Sequence, residues 1–174
     1  MTQVYLCAAR RTPIGRYGGS LSAVRPDDLA ARVIDGLLDL HDVTVDEVIF
    51  GCANQAGEDN RNVARMATLL SRLGDAVPAL TVNRLCASGL DAIITATRSI
   101  RDGAADVIIA GGVESMSRVG MGMSGGAWYM DPSVNFPGYF MPQGVSADLI
   151  ATKYGFSRDD VDGYAVESQK RAAN

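Results

Sequence analysis

Cysteine is scarce in this chain of 174 residues and odd in number: Cys7, Cys52 and Cys86 are the whole complement. No pair has the spacing of a zinc site or a disulfide framework, so no metal is expected and a reducing, cytoplasmic setting follows. Histidine is scarcer still. His41 stands alone at the end of a helical pattern, where it reads as a solvated imidazole. No basic stripe and no interleaving of basic and aromatic residues is present, which excludes nucleic acid as the expected partner. No apolar run is long enough to cross a bilayer. Met1–Cys7 lacks a charged leader or cleavage pattern and reads as a first strand. What remains is an ordinary globular composition, 47% hydrophobic and 21% charged with a net charge of −4, ample for one core. No internal repeat or low-complexity tract is evident.

Apolar runs and helical patterns alternate along the first two thirds. Val4 to Ala9 reads as a short apolar strand that leads into a turn-rich loop ending at Gly19. A helix is predicted from Pro26, with Asp27 and Asp28 favoured in its first turn and Leu29, Val33, Leu37 and Leu40 on one face. Val45 to Cys52 reads as the second strand. The next helix turns Val63, Met66, Ala67 and Leu70 inward, with Gly74 as its stop. Ala79 to Leu85 is the third strand. A mostly buried helix then starts with Ser88 as its cap and ends at Gly103. Asp106 to Val113 is a fourth strand with almost no polar alternation, as suits a sheet covered on both faces. This order predicts an α/β fold with a mainly parallel sheet and helices packed on it.

The character changes at Glu114. From there to Gly144 no periodic element is predicted, and five of the seven methionines fall in this stretch among glycines and aromatics. It reads as an adaptable apolar wall, a subunit contact, or a loop packed on its own body. Helices are predicted for Ser146 to Tyr154 and onward from Ser157, which forms a capping-box pair with Asp160.

The stretch Leu80-Thr-Val-Asn-Arg-Leu-Cys86-Ala-Ser-Gly-Leu90 puts a cysteine where a strand passes into a helix. Free N–H groups at a helix start stabilise negative charge, so they favour a thiolate and can hold an oxyanion. On local pattern alone the thiol is either such a nucleophile or a small buried hydrophobe.

Four stretches together carry a resemblance. Thr81-Val-Asn-Arg-Leu-Cys86-Ala-Ser-Gly-Leu-Asp-Ala92 is similar to the nucleophile motif of thiolases. Arg11-Thr-Pro-Ile-Gly15, Ala110-Gly-Gly-Val-Glu-Ser-Met-Ser-Arg118 and Gly144-Val-Ser-Ala-Asp148 resemble other landmarks of the same family, in the same order. Phe50 to Met66 resembles the β-ketoadipyl-CoA thiolases of aromatic-acid degradation in particular. The likeness covers nearly the whole chain, with two departures: Pro142-Gln143-Gly144 stands where the family often has His-Met-Gly, and the Met- and Gly-rich stretch before it differs from the β-ketoadipyl-CoA enzymes.

The resemblance implies a thiolase-like fold, with residues 1–117 as an N-terminal α/β half and 118–174 as the start of a loop domain. It implies an acyltransferase in which Cys86 carries the acyl group as a thioester. Such an enzyme cleaves a 3-oxoacyl-CoA to acetyl-CoA and a shortened acyl-CoA, or runs the Claisen condensation in reverse. Acyl-CoA and coenzyme A are then substrates, no cofactor is permanently bound, and a homo-oligomer is expected. No residue is assigned to substrate binding. The family's base histidine, second reactive cysteine and asparagine-containing oxyanion segment belong to a C-terminal half outside these residues, so little turnover is expected from this chain alone. Two other readings remain: a condensing enzyme of the ketoacyl-synthase kind, and a non-catalytic acyl-CoA-binding or assembly module with Cys86 as an inert thiol.

Overall fold

The computed structural model describes residues 3–173. Met1 and Thr2, at the start of the expected first strand, and Asn174, at the end of the expected last helix, lie outside the described residues. The chain divides into two compact units, the first ending at Ser124 and the second starting at Gly125.

The first unit is built on a parallel sheet of β1 (Glu47–Gly51), β2 (Ala79–Val82) and β3 (Ile108–Gly112), in the spatial order β2-β1-β3. Register fixes what each face carries. Val48 lies beside Ala79 and Ile109, and Ile49 beside Leu80 and Ala110. Side chains alternate between faces, so Val48, Phe50 and Ile109 meet α1 (Pro26–Leu38) and α2 (Val63–Leu70) through Ala30, Ile34, Ala64 and Ala67. On the opposite face Ile49 meets Ala92 and Ala96 of α3 (Ser88–Asp102). The helices therefore cover both faces, as expected. Alanines at the contacts let their backbones sit close to the sheet.

Several boundaries differ from the sequence reading. Val4 to Ala9 forms no strand, and Tyr5 and Leu6 are exposed. An apolar run becomes a strand only when a neighbour satisfies its backbone groups, and neither of the sheet's two ladders reaches this segment. Helix α1 starts at Pro26 as predicted, but its most buried stripe is Ala30, Ala31 and Ile34. Leu29, Val33 and Leu37 flank that stripe, and Leu40 lies past the last turn, exposed. In α2 Leu70 is exposed, while Thr68 turns inward and donates its hydroxyl to the Ala64 carbonyl at 2.8 Å. Helix α3 buries only Ser88, Ala92 and Ala96, leaving Leu90, Ile93 and Ile94 exposed. The mostly buried helix of the sequence reading is thus covered by the sheet on one side only.

The second unit holds two single turns, α4 (Ala127–Met130) and α5 (Pro132–Asn135), where no regular element was expected. Phe140 packs edge-on against Trp128 and Tyr129, with ring centroids 4.7 and 5.7 Å apart. Helix α6 (Gln143–Tyr154) starts ahead of Ser146 and closes at Gly155 in the left-handed conformation. The capping box of α7 (Arg158–Ala173) is formed: the Ser157 N–H donates to Asp160 at 2.8 Å, and the Asp160 N–H donates to Ser157 Oγ at 3.2 Å. No described helix is long and apolar enough to cross a membrane.

Candidate active site

Strand β2 ends at Val82 and α3 starts at Ser88, so residues 83–87 form a tight passage rather than an extension of the strand. Leu85 takes a positive φ of 49° there, a conformation that costs a branched side chain roughly 1 kcal/mol. Hydrogen bonds on each side hold it. Its N–H donates to Asn83 Oδ1 at 2.9 Å, and its carbonyl accepts from the Ser88 N–H at 3.0 Å and the Ser88 hydroxyl at 2.5 Å. Ser88 Oγ also accepts from the Arg84 N–H at 2.9 Å. Ser88 is therefore the first helical residue and a brace for the turn. The N-cap position is Ala87, whose side chain has no capping oxygen.

Cys86 follows Leu85 and is exposed. Among the described residues, the N–H groups of Cys86, Gly89 and Leu90 donate to no protein acceptor. They are the uncommitted donors of a helix start, where partial positive charge collects.

The turn rests on Gly51. A Cβ at this position would fall 2.2 Å from the Ser88 carbonyl carbon and 2.5 Å from the Gly89 nitrogen. Only a residue without a side chain lets the sheet backbone meet the first turn of α3 this closely. The sequence reading did not single out Gly51; its only signal was a glycine closing an apolar strand ahead of a small-residue loop.

The three thiols occupy different environments. Cys7 is exposed like Cys86, whereas Cys52 is buried. Burial pushes the Cys52 thiol well above its ordinary range, helped by the charges of Asp59 and Glu114, so it stays protonated and unreactive. Its Sγ donates to Asp59 Oδ2 at 3.4 Å. Asp59 is fully buried, and its Oδ1 has no partner among the described residues. Cys52, Asp59 and Glu114 bring one potential ligand atom each to within 4.8 Å of one another. The Glu114 oxygens, however, accept the Ala53 N–H and the Asn54 N–H. Amide donors at those oxygens suit a hydrogen-bond network and not a cation.

Burial raises the Asp59 carboxyl to about 6 from an ordinary 3.8. The native state therefore keeps a proton that the unfolded chain releases, and Asp59 favours folding below its unfolded value. That contribution is lost as pH rises through about 6. Asp59→Asn is expected to remove a fall of about 2 kcal/mol in unfolding free energy between about pH 4 and pH 7. Urea titrations across that range would measure it, and an unchanged pH slope would refute it.

The structure leaves His41 exposed. A cavity of about 550 Å³ lies between residues 6–17, α1 and β3, with Leu29, Val33 and Gly111 in its wall. Cys86 is not among its lining residues.

With this geometry in hand, the comparisons with known proteins fall into one pattern. The family described as "Thiolase, N-terminal domain" matches residues 4–174. A β-ketoadipyl-CoA thiolase of Pseudomonas knackmussii is 48% identical over 192 aligned residues, covering 98% of this chain and 47% of that protein. A 3-oxoadipyl-CoA/3-oxo-5,6-dehydrosuberyl-CoA thiolase of Escherichia coli K12 is 47% identical, covering 99% and 48%. A 3-ketoacyl-CoA thiolase of Bacillus subtilis 168 is 41% identical, covering 99% and 45%. The chain thus spans about half the length of the curated relatives it matches.

Proposed function

The chain belongs to the thiolase family, and from that premise we propose that Cys86 is the nucleophile of a CoA-dependent acyl transfer. The observation that supports this most is an exposed thiol in the turn that leads into α3, where backbone donors are uncommitted. In the cleaving direction the Cys86 thiolate adds to the 3-keto carbon of a 3-oxoacyl-CoA. The bond between carbons 2 and 3 breaks, and the departing carbon takes a proton to become acetyl-CoA. The acyl group stays on Sγ as a thioester. A second CoA thiolate then takes it up and frees Cys86. The covalent stage divides one difficult cleavage into two easier steps. Run backwards, the same steps are a Claisen condensation.

On this reading residues 118–174 open a loop domain, and the protein works in the cytoplasm as a homo-oligomer without a permanently bound cofactor. The names of the relatives make 3-oxoadipyl-CoA the first substrate to try. The carbon-acid proton transfers need a base that these residues do not supply.

The half-reaction tests the nucleophile without that base. Acetyl-CoA incubated with the folded chain is expected to acetylate Cys86 ahead of Cys7, with Cys52 untouched, as read by site-resolved mass spectrometry. Equal labelling of Cys7 and Cys86 would be plain thiol–thioester exchange and would overturn the proposal. Free CoA as acyl acceptor, with no carrier protein, separates a thiolase from a ketoacyl synthase.

A further inference from the structure

We propose that Glu114 and Asn83 are positioning residues for Cys86, acting through the loop that follows β1. The proposal rests on the nucleophile reading and extends it to side chains that do not touch the thiol. Glu114 follows β3, whose end is tied to β1 by the Val113 N–H donating to the Gly51 carbonyl at 3.1 Å. Its carboxylate reaches across to the other loop. It accepts the Ala53 N–H at 2.9 Å, the Asn54 N–H at 3.2 Å and the Asn54 side-chain amide at 3.3 Å. With its N–H fixed in this way, Ala53 presents its carbonyl to the Asn83 Nδ2 at 2.9 Å. Asn83 Oδ1 in turn accepts the Leu85 N–H at 2.9 Å.

The connection therefore runs from one carboxylate through a backbone peptide and one side-chain amide to the residue before the nucleophile. Asn83 suits its place because an amide offers a donor on one side and an acceptor on the other. Neither side chain fills the core, since both are exposed. What they do is hold Leu85, the residue before the nucleophile, in a left-handed conformation that a branched side chain does not adopt freely. The Asn54 Oδ1 also accepts the Gly122 N–H at 3.2 Å, so the glycine- and methionine-rich stretch hangs on the same loop.

The chain's own cysteines make the test self-calibrating. Iodoacetamide alkylation is followed at Cys86 with Cys7 as the exposed reference, and a urea transition of each variant reports whether the fold is intact. In the unaltered chain Cys86 is expected to react faster than Cys7. Asn83→Ala and Glu114→Ala should each lower the Cys86-to-Cys7 ratio about fivefold, the factor that corresponds to one hydrogen bond of ordinary strength. Glu114→Gln, which keeps one acceptor oxygen, should fall between. An unchanged ratio in both alanine variants with the urea midpoint intact would overturn the proposal. So would a ratio that falls only as far as the urea midpoint falls, because that marks a merely structural role. A ratio of one in the unaltered chain would instead overturn the nucleophile reading itself.

Discussion

Cys86→Ser is expected to lower thioester or ester formation from acyl-CoA by about four orders of magnitude or more, with folding unchanged. Cys86 is exposed and contributes nothing to either hydrophobic cluster, so exchanging sulfur for oxygen leaves the packing intact. The chemistry changes completely. A thiol is intrinsically a strong nucleophile, whereas an alcohol needs an adjacent general base to the same end. The single histidine, His41, is an exposed residue of another segment. The rate of acyl-adduct growth on residue 86, measured beside a urea transition for each protein, checks both halves of the statement. A serine variant that acylates within tenfold of the parent would be incompatible with Cys86 as the nucleophile.

Gly51→Ala is expected to destabilise the first unit by about 3 kcal/mol, at or beyond the upper end of ordinary overpacking. The added carbon would meet main-chain atoms of Ser88 and Gly89, so no side-chain rotation can relieve the clash. The chain has to separate β1 from α3, which uncouples the seat of the cysteine turn from the sheet. Cys86 labelling should fall with stability in this variant. Gly36→Ala is the matched control. It lies within α1 with nothing within 4 Å of its added carbon, and removing a helical glycine is worth about 0.5–1 kcal/mol in the opposite direction. Equal unfolding midpoints for the two variants would show that the contact at Gly51 is not close.

The elements that were legible in the sequence are those set by local chemistry. Pro26 fixed the start of α1, Gly103 and Gly155 marked the ends of α3 and α6, and Ser157 with Asp160 announced α7. The parallel sheet with both faces covered followed from apolar runs without polar alternation. What failed depends on partners distant in sequence. Whether Val4 to Ala9 pairs is decided by a neighbouring ladder, which periodicity does not describe. The alanine stripe of α1 won over the leucine stripe because closeness to the sheet counted more than side-chain size. Ser88 was expected to cap its own helix, yet it braces the turn before it, because Leu85 bends the chain back towards its hydroxyl. Of the candidate site, Cys86 was singled out by the resemblance of several motifs, since its local pattern alone left a buried thiol equally open; the structure leaves it exposed. Gly51, Asn83 and Glu114 contribute through contacts across three separate strand ends, and no local pattern shows that they converge.

The outward flank of α3 has a practical consequence. A helix carrying Leu90, Ile93 and Ile94 towards water, on a unit whose sheet covers only its other side, presents an adhesive strip. Protein prepared at high concentration would bury that strip against whatever greasy surface is at hand, including vessel walls and misfolded neighbours. Dilute, cold handling and rapid assay therefore belong to the behaviour of this chain as much as its thiol chemistry does.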